Sequence, residues 1–419
     1  MGLKRIIKSV GSESITMKIV QLDIQGFRSL KDVSWRPGNL NVVIGPNGSG
    51  KSNLLRMLQL ISAAAQRRLS KNIQTEGGIG NILWDGQGDR IGFQVKMSQM
   101  PEIVTDPLEM VELFPNHPTK PPRFQYDVKL IAFGLGIGYR VLQEVLQDNE
   151  NDLTYISRQG LIAQIYSKDG KTAVRPDAID EEETILPVSF LPFGTREEKQ
   201  YFAFHLQNWT IYTVFHTDQN APMRQAPLSR FEEHVAPDGQ NLINVLHTLY
   251  TSDRKFKQDI NDAMHAAFGD DFDELIFPPA ADQRIQMRVR WRTLKREQST
   301  ADLSDGTLRF LFLITVLASP NPPPLIAIDE PETGLHPSML PIIAEYAVEA
   351  ATRTQVIFTT HSDQFLDAFR ETRPTTTVAK WENGETTLTT LEDRELAYWL
   401  KDYSLGNLFR SGELENMAA

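Results

Sequence analysis

Eight consecutive residues, Gly45-Pro46-Asn47-Gly48-Ser49-Gly50-Lys51-Ser52, have the types and spacing that hold a phosphate chain. The glycines let successive backbone N–H groups curl inward around phosphate oxygens without side-chain clash. Lys51 then supplies a point charge to the β- and γ-phosphates, and Ser52 offers its hydroxyl to Mg2+. Such a loop needs a strand before it and a helix after it. The apolar run 40–44 and the helical spacing of residues 53–60 supply both, and Asn53 falls in the first turn, where the positive helix end adds to the anion site. A chance glycine turn would have neither flank.

A second group of residues could act on what the loop holds. Leu325-Ile326-Ala327-Ile328-Asp329-Glu330 is an apolar strand ending in two acids. Carboxylates at the carboxyl edge of a buried sheet stand where α/β proteins bind ligands. Asp329 is placed to hold Mg2+, directly or through water, and Glu330 to polarise a water attacking the γ-phosphate. The plainer reading is an ion-paired strand end. It loses ground because the phosphate loop is in the same chain. ATP with Mg2+ is the expected ligand, and ATP hydrolysis the expected chemistry.

Three further stretches carry a family resemblance. Leu303-Ser304-Asp305-Gly306-Thr307 resembles the signature motif of ABC-type ATPases. Pro331-Glu332-Thr333-Gly334-Leu335-His336-Pro337 resembles their D-loop, and Val356-Ile357-Phe358-Thr359-Thr360-His361-Ser362 their switch strand. The order along the chain is that of the family. The resemblance implies that Ser304 and Gly306 contact the γ-phosphate held by the opposite subunit, so that a homodimer sandwiches two ATP molecules head to tail. It implies also that His361 senses the γ-phosphate. Asn47, Gly26-Phe27-Arg28-Ser29-Leu30 and Gly334-Leu335-His336-Pro337 are similar to the RecF/SMC/OLD-like branch rather than to transporter ATPases. Pro237-Asp238-Gly239-Gln240-Asn241-Leu242 and Leu405-Gly406-Asn407-Leu408 resemble its compact bacterial AAA-type members. The chain departs from the family at Asp305 and Thr307, where glycine and glutamine are commoner, and at His336, where transporters have an aspartate that links the two sites.

These parts imply an α/β fold: a P-loop NTPase of ABC type with a mixed sheet, an antiparallel β lobe and a helical insertion. Residues 1–16 read as a polar extension and 17–370 as the ATPase domain. Alternating runs with glycine and proline clusters place the β lobe at 76–145, and helical patterns place the insertion at 195–275. In the tail, 371–419, two alternating runs flank Asn383-Gly384, a hairpin signature. No heptad persists, which argues against a long coiled-coil arm.

Composition sets outer limits. The chain has 419 residues, 41% hydrophobic and 23% charged, enough for a large core and no case for wholesale disorder. No apolar run approaches the roughly 20 residues of a membrane span, and none follows the basic start as a secretory signal would require. With no cysteine there is no thiol nucleophile, and a cytoplasmic protein fits best. The net charge of −11 argues against a globally basic nucleic-acid coat but allows a local patch. Arg288, Arg290 and Arg292 fall on one face of a strand, with Lys295 and Arg296 just beyond; they could track a phosphate backbone or guard an exposed sheet edge. Phe27 and Arg28 are further candidates for nucleotide contact, and Gln94 and Gln207 for the glutamine that links metal to lobe.

The combined expectation is an ATPase subunit that dimerises around ATP and either acts on DNA or controls a nuclease or other nucleic-acid-directed effector. The resemblance implies phage defence or DNA repair as the setting. OLD-like nucleases carry a Toprim domain after the ATPase, and too few residues follow His361 for one, so nuclease activity would come from a partner. The competing readings are a nucleotide-gated scaffold with little hydrolysis and, third, the energy subunit of a membrane transporter.

Overall fold

The structure is a computed structural model that describes residues 17–84, 88–98, 122–167, 170–174, 179–187, 197–369 and 372–418. The expected extension, 1–16, lies outside them, as do parts of 76–145 and 195–275. Strands β1 (Ile19–Phe27) and β2 (Leu30–Trp35) are followed by β3 (Leu40–Ile44), which leads into helix α1 (Lys51–Ala65). The short helices α2 (Leu69–Thr75) and α3 (Ile79–Ile82) come next. Strands β4 (Arg90–Met97), β5 (Phe124–Phe133), β6 (Gly138–Asp148), β7 (Leu153–Gln159), β8 (Ile162–Ser167) and β9 (Gly170–Val174) then form the lobe. They join the first two strands in one antiparallel sheet, ordered β2-β1-β4-β5-β6-β7-β8-β9. The alternation read from 91–97 and 124–130 is a direct pairing, with Val95 opposite Tyr126, and the sheet runs past residue 145 to Val174.

Helix α4 (Glu197–Gln207), β10 (Thr210–Tyr212), α5 (Leu242–Ser252) and α6 (Arg254–Phe268) follow. A small β region has strands β11 (Phe272–Ile276), β12 (Pro279–Ala280), β13 (Arg284–Ile285), β14 (Arg288–Trp291) and β15 (Gln298–Ser299). Helix α7 (Asp305–Leu317), β16 (Leu325–Asp329), α8 (Leu340–Arg353), β17 (Gln355–Thr360) and α9 (Asp363–Asp367) complete the alternating part, and β18 (Thr375–Glu382) with β19 (Glu385–Thr390) forms a hairpin. The central sheet has the order β10-β16-β17-β3-β18-β19 and is parallel up to the last pair.

Both faces of this sheet are covered, which is why its middle strands are continuous apolar runs rather than alternating ones. The two-residue period still sorts their side chains into two cores. Val43, Leu325, Ala327 and Ile357 pack with α1 and the lobe. Val42, Ile326, Ile328 and Phe358 pack with α5, α6, α7 and α8. The longest helices among the described residues have 15 residues, and none of them is long and apolar enough to cross a membrane.

Two placements differ from simple sequence readings. The basic strand β14 is not a sheet edge, because it lies between β11 and β15. The hairpin is no appendage either: β18 lies parallel to β3, with Thr377 opposite Val43. Its two-residue turn has positive φ at Asn383 (52°) and Gly384 (83°), the geometry that Asn-Gly supplies at least cost. Across the sheets the buried Trp35 Nε1 donates to Thr377 Oγ1 at 3.0 Å. Replacing Thr377 with valine keeps the shape but orphans the indole N–H. We expect a loss of about 1–3 kcal/mol in chemical denaturation; a value within error of the parent would mean the indole finds another acceptor.

Candidate nucleotide site

The parallel register brings three strand ends to one edge. Asp329 pairs with Thr359, and Thr360 pairs with Ile44, the last residue before the phosphate loop. Thr359 Oγ1 donates to Asp329 Oδ1, while Ser52 Oγ donates to Asp329 Oδ2 at 3.1 Å. Hydroxyl and carboxylate are the hard oxygen donors that Mg2+ takes together with phosphate and water, so this pair fits the cation. Ser52 and Asp329 are the residues that would hold it.

The loop itself fits a phosphate chain. Gly45, Gly48 and Gly50 have φ of 149°, 82° and 95°. A Cβ on Gly45 would lie 2.3 Å from the Ala379 carbonyl oxygen, and one on Gly50 would lie 2.1 Å from Thr386 Oγ1. Ser49 Oγ is buried without a partner, a polar atom available to a ligand. Lys51 Nζ donates to the loop carbonyls of Gly45 (2.6 Å) and Pro46 (3.0 Å). Its burial pushes the ammonium pKa down, against the opposing pull of Glu330, Asp329 and Glu332. Asn53 does not point to the loop's interior, since its Nδ2 donates to Ser29 Oγ at 2.8 Å. Ser29 Oγ is also 2.7 Å from the Thr386 hydroxyl, which lies 3.0 Å from the Ser49 carbonyl. Residue 386 of the tail hairpin is therefore a wall of the phosphate loop.

Glu330 follows β16 with φ of 45°, in the left-handed region. Its N–H donates to the Thr359 carbonyl at 3.0 Å. Its carboxylate Oε1 is 3.0 Å from His361 Nδ1, and because a carboxylate only accepts, the hydrogen of this contact sits on Nδ1. Glu332 is more enclosed. Thr360 Oγ1 donates to its Oε1 at 2.6 Å, its Oε2 is buried without a partner, and burial pushes its pKa up. The expected base and switch histidine thus touch each other beside the metal carboxylate.

The signature residues stand elsewhere. Ser304 caps α7, accepting from Thr307 N–H at 3.1 Å, and a Cβ on Gly306 would lie 2.7 Å from the Gly334 carbonyl oxygen. Among the described residues no hydrogen bond joins Ser304 or Gly306 to residues 45–53. Arg224 shapes this loop: it donates to the carbonyls of Thr300 (3.0 Å) and Leu303 (2.7 Å) and pairs with Asp305. That pairing accounts for the unusual Asp305. Sequence gave no sign of Arg224, which lies in an irregular stretch. Arg309 lies outside every motif, although a lone arginine inside an apolar helix is itself a sequence signal; it donates to the Glu330 carbonyl at 2.7 Å.

Other candidates are occupied differently. Phe27 is buried in the lobe-side core, and Arg28 pairs with Glu76. Gln94 Nε2 donates to Asp127 at 3.1 Å and Gln207 Nε2 to the Ala65 carbonyl at 2.7 Å. His336 caps a local turn through Ser338. On β14, Arg288 and Arg290 face Glu297 at 3.8 and 3.0 Å and Arg290 also pairs with Glu274; just past the strand, Arg292 lies 3.8 Å from Asp273. The basic face is charge-compensated, while Lys295 and Arg296 beyond it are exposed.

Comparison with known proteins gives two family matches and a shared fold. Residues 178–367 match the family described as "AAA domain, putative AbiEii toxin, Type IV TA system", and residues 17–109 match "AAA ATPase domain". An Smc head bound to the C-winged helix domain of ScpA superposes with a TM-score of 0.52 at 14% identity, over 91% of this chain and 99% of that one. The Smc head with an extended coiled coil from Pyrococcus furiosus, bound to the C-terminal domain of ScpA, gives 0.51 at 13% identity, over 92% and 99%. No curated protein matches the sequence. The chain thus carries AAA-type ATPase matches in two stretches and has the fold of Smc heads, and its motifs resemble those of ABC-type ATPases.

The hairpin wall has a measurable consequence. Replacing Thr386 with valine removes the hydroxyl beside Ser29 and Ser49 and leaves the loop's own residues unchanged. ATP affinity, read by titration with a fluorescent analogue, should fall roughly five-fold, the worth of about one hydrogen bond. An unchanged affinity would make the contact incidental.

Proposed function

We propose that the chain binds ATP with Mg2+, hydrolyses it, and closes head to tail with a second copy during the cycle. The observation that carries this reading is the shared sheet edge: Ser52 bonded to Asp329, with Glu330 and His361 in contact beside them. Mg2+, when bound, supplies charge that offsets that of the phosphates. Glu330 accepts a hydrogen bond from the attacking water and polarises it, and His361 orients the carboxylate. Lys51 exchanges its loop carbonyls for phosphate oxygens. Ser304 and Gly306 complete the site of the other copy, a division supported by the lack, among the described residues, of any hydrogen bond from them to residues 45–53.

Dimerisation around ATP is taken to drive a partner. The ion pairs on β14 favour a nucleic-acid-directed effector protein over direct contact of that face with DNA; exposed Lys295 and Arg296 support DNA contact as the second reading. Phage defence or DNA repair is the proposed setting.

Two experiments test the chemistry and the assembly. Glu330→Gln should retain ATP binding and lose hydrolysis by about a hundred-fold or more, whereas Lys51→Ala should weaken binding itself. Near-parent phosphate release by Glu330→Gln would remove Glu330 from the role, and tight binding with negligible turnover by the parent would favour a nucleotide-gated scaffold. Inactive Ser304→Arg chains mixed with inactive Lys51→Ala chains should regain activity, since each heterodimer contains one intact composite site. Verified heterodimers without activity would point to catalysis within one chain or to obligatory coupling of both sites.

A further inference from the structure

Apart from Asp305 in its first turn, Arg309 is the only charged residue on α7. An arginine on an otherwise apolar helix is held by what its guanidinium meets. Here one nitrogen donates to the Glu330 carbonyl at 2.7 Å. The guanidinium carbon lies 4.0 Å from the centroid of the Phe215 ring, and that ring packs edge-on against Phe312 of the same helix at 4.8 Å. The planar group is thus fixed by a stacked face and one aimed donor.

The acceptor matters more than the bond. Glu330 has φ of 45°, a conformation that a residue with a side chain keeps only where its surroundings hold it. Its peptide groups are clamped from both sides, the N–H by the Thr359 carbonyl and the carbonyl by Arg309. Backbone orientation at Glu330 sets where its carboxylate points. Ser304, the cap of α7 and the residue assigned to the other copy's nucleotide, is about 7.5 Å along the helix axis from Arg309. Movement of the helix start therefore reaches Glu330 through about a turn and a half of helix.

We infer that Arg309 is a positioning residue that couples the seating of the signature helix to the orientation of Glu330. The inference rests on the proposed role of Glu330 as the base. Among the described residues, two buried polar atoms beside this linkage have no partner, Arg309 Nε and Glu332 Oε2, and Glu332 is the acid with the strongest pull on the guanidinium. Burial pushes the Arg309 guanidinium pKa down, against the opposing pull of Glu332, Glu330 and Asp329.

The test is a double-variant cycle read by single-turnover phosphate release. Arg309→Lys keeps a cation near Glu332 but loses the stacked fork. We expect turnover to fall about ten-fold, with ATP affinity and unfolding midpoint close to the parent. In a Glu330→Gln background the same change should have no further effect, because there is no base left to orient. A structural role would instead lower the residual rate by the same factor again, and that result, or parent-like turnover by Arg309→Lys, would overturn the inference. Phe215→Leu, which removes the stack and leaves Arg309 in place, provides a second route should the lysine variant fold poorly; it should lower turnover less and show the same dependence on Glu330. If instead Glu330→Gln itself turns over like the parent, the proposed function fails first, and the two failures are distinguishable.

Discussion

The parallel register of β3, β16 and β17 is the constraint on which everything else rests. Shifting β16 by one residue against β17 would turn Asp329 away from Thr359 and exchange the two buried faces of the strand. In the observed register each oxygen of the Asp329 carboxylate has its own hydroxyl, one from the neighbouring strand and one from the phosphate loop. The site is thus a property of the sheet edge, and the loops merely furnish it. The same register divides the apolar residues between two cores, so stability and site geometry are set by a single choice.

The far end of α1 shows how the lobe is tied to that edge. Thr184 Oγ1 donates to the Ala64 carbonyl and Gln207 Nε2 to the Ala65 carbonyl, satisfying acceptors that a helix end leaves free. The Glu183 carboxylate accepts from the N–H groups of Leu69 and Ser70 at the start of α2. The segment that brings these groups is itself anchored in the lobe: Glu144 accepts from Tyr126, Ile185 and Leu186, and Arg158 donates to the carbonyls of Asp180 and Glu183. A buried acid with three donors is satisfied despite its burial. The helix that begins at the phosphate loop therefore ends in contacts with the lobe.

What the sequence made legible was local in the chain. The glycine loop, the two acids and the histidine-ended strand each carry their chemistry within a few residues, and apolar runs of strand length marked the sheet that holds them. What it hid depends on residues far apart. Thr386 touches the loop only because β18 lies beside β3, and no periodicity records which strand a hairpin will join. The arginines of β14 read as a basic face because their acids sit on β11 and after the turn at 291–296, so compensation appears only once strands pair. Asn53 fits the loop by position, yet its side chain is taken by Ser29. Arg224 works through backbone carbonyls, which leave no trace in residue types.

The hairpin beside β3 also bears on how the protein comes into being. Strand β3 is made well before its two neighbours, β17 and β18, and the contact between Asn41 and Val356 spans 315 residues. Pairings of such separation are slow to form because a long loop must close before any contact rewards it. On a ribosome adding about 5–20 residues each second, the nucleotide loop waits tens of seconds for the strands that define its walls. Until then β3 has neither partner strand, and the walls of the loop are complete only once Thr386 has been made.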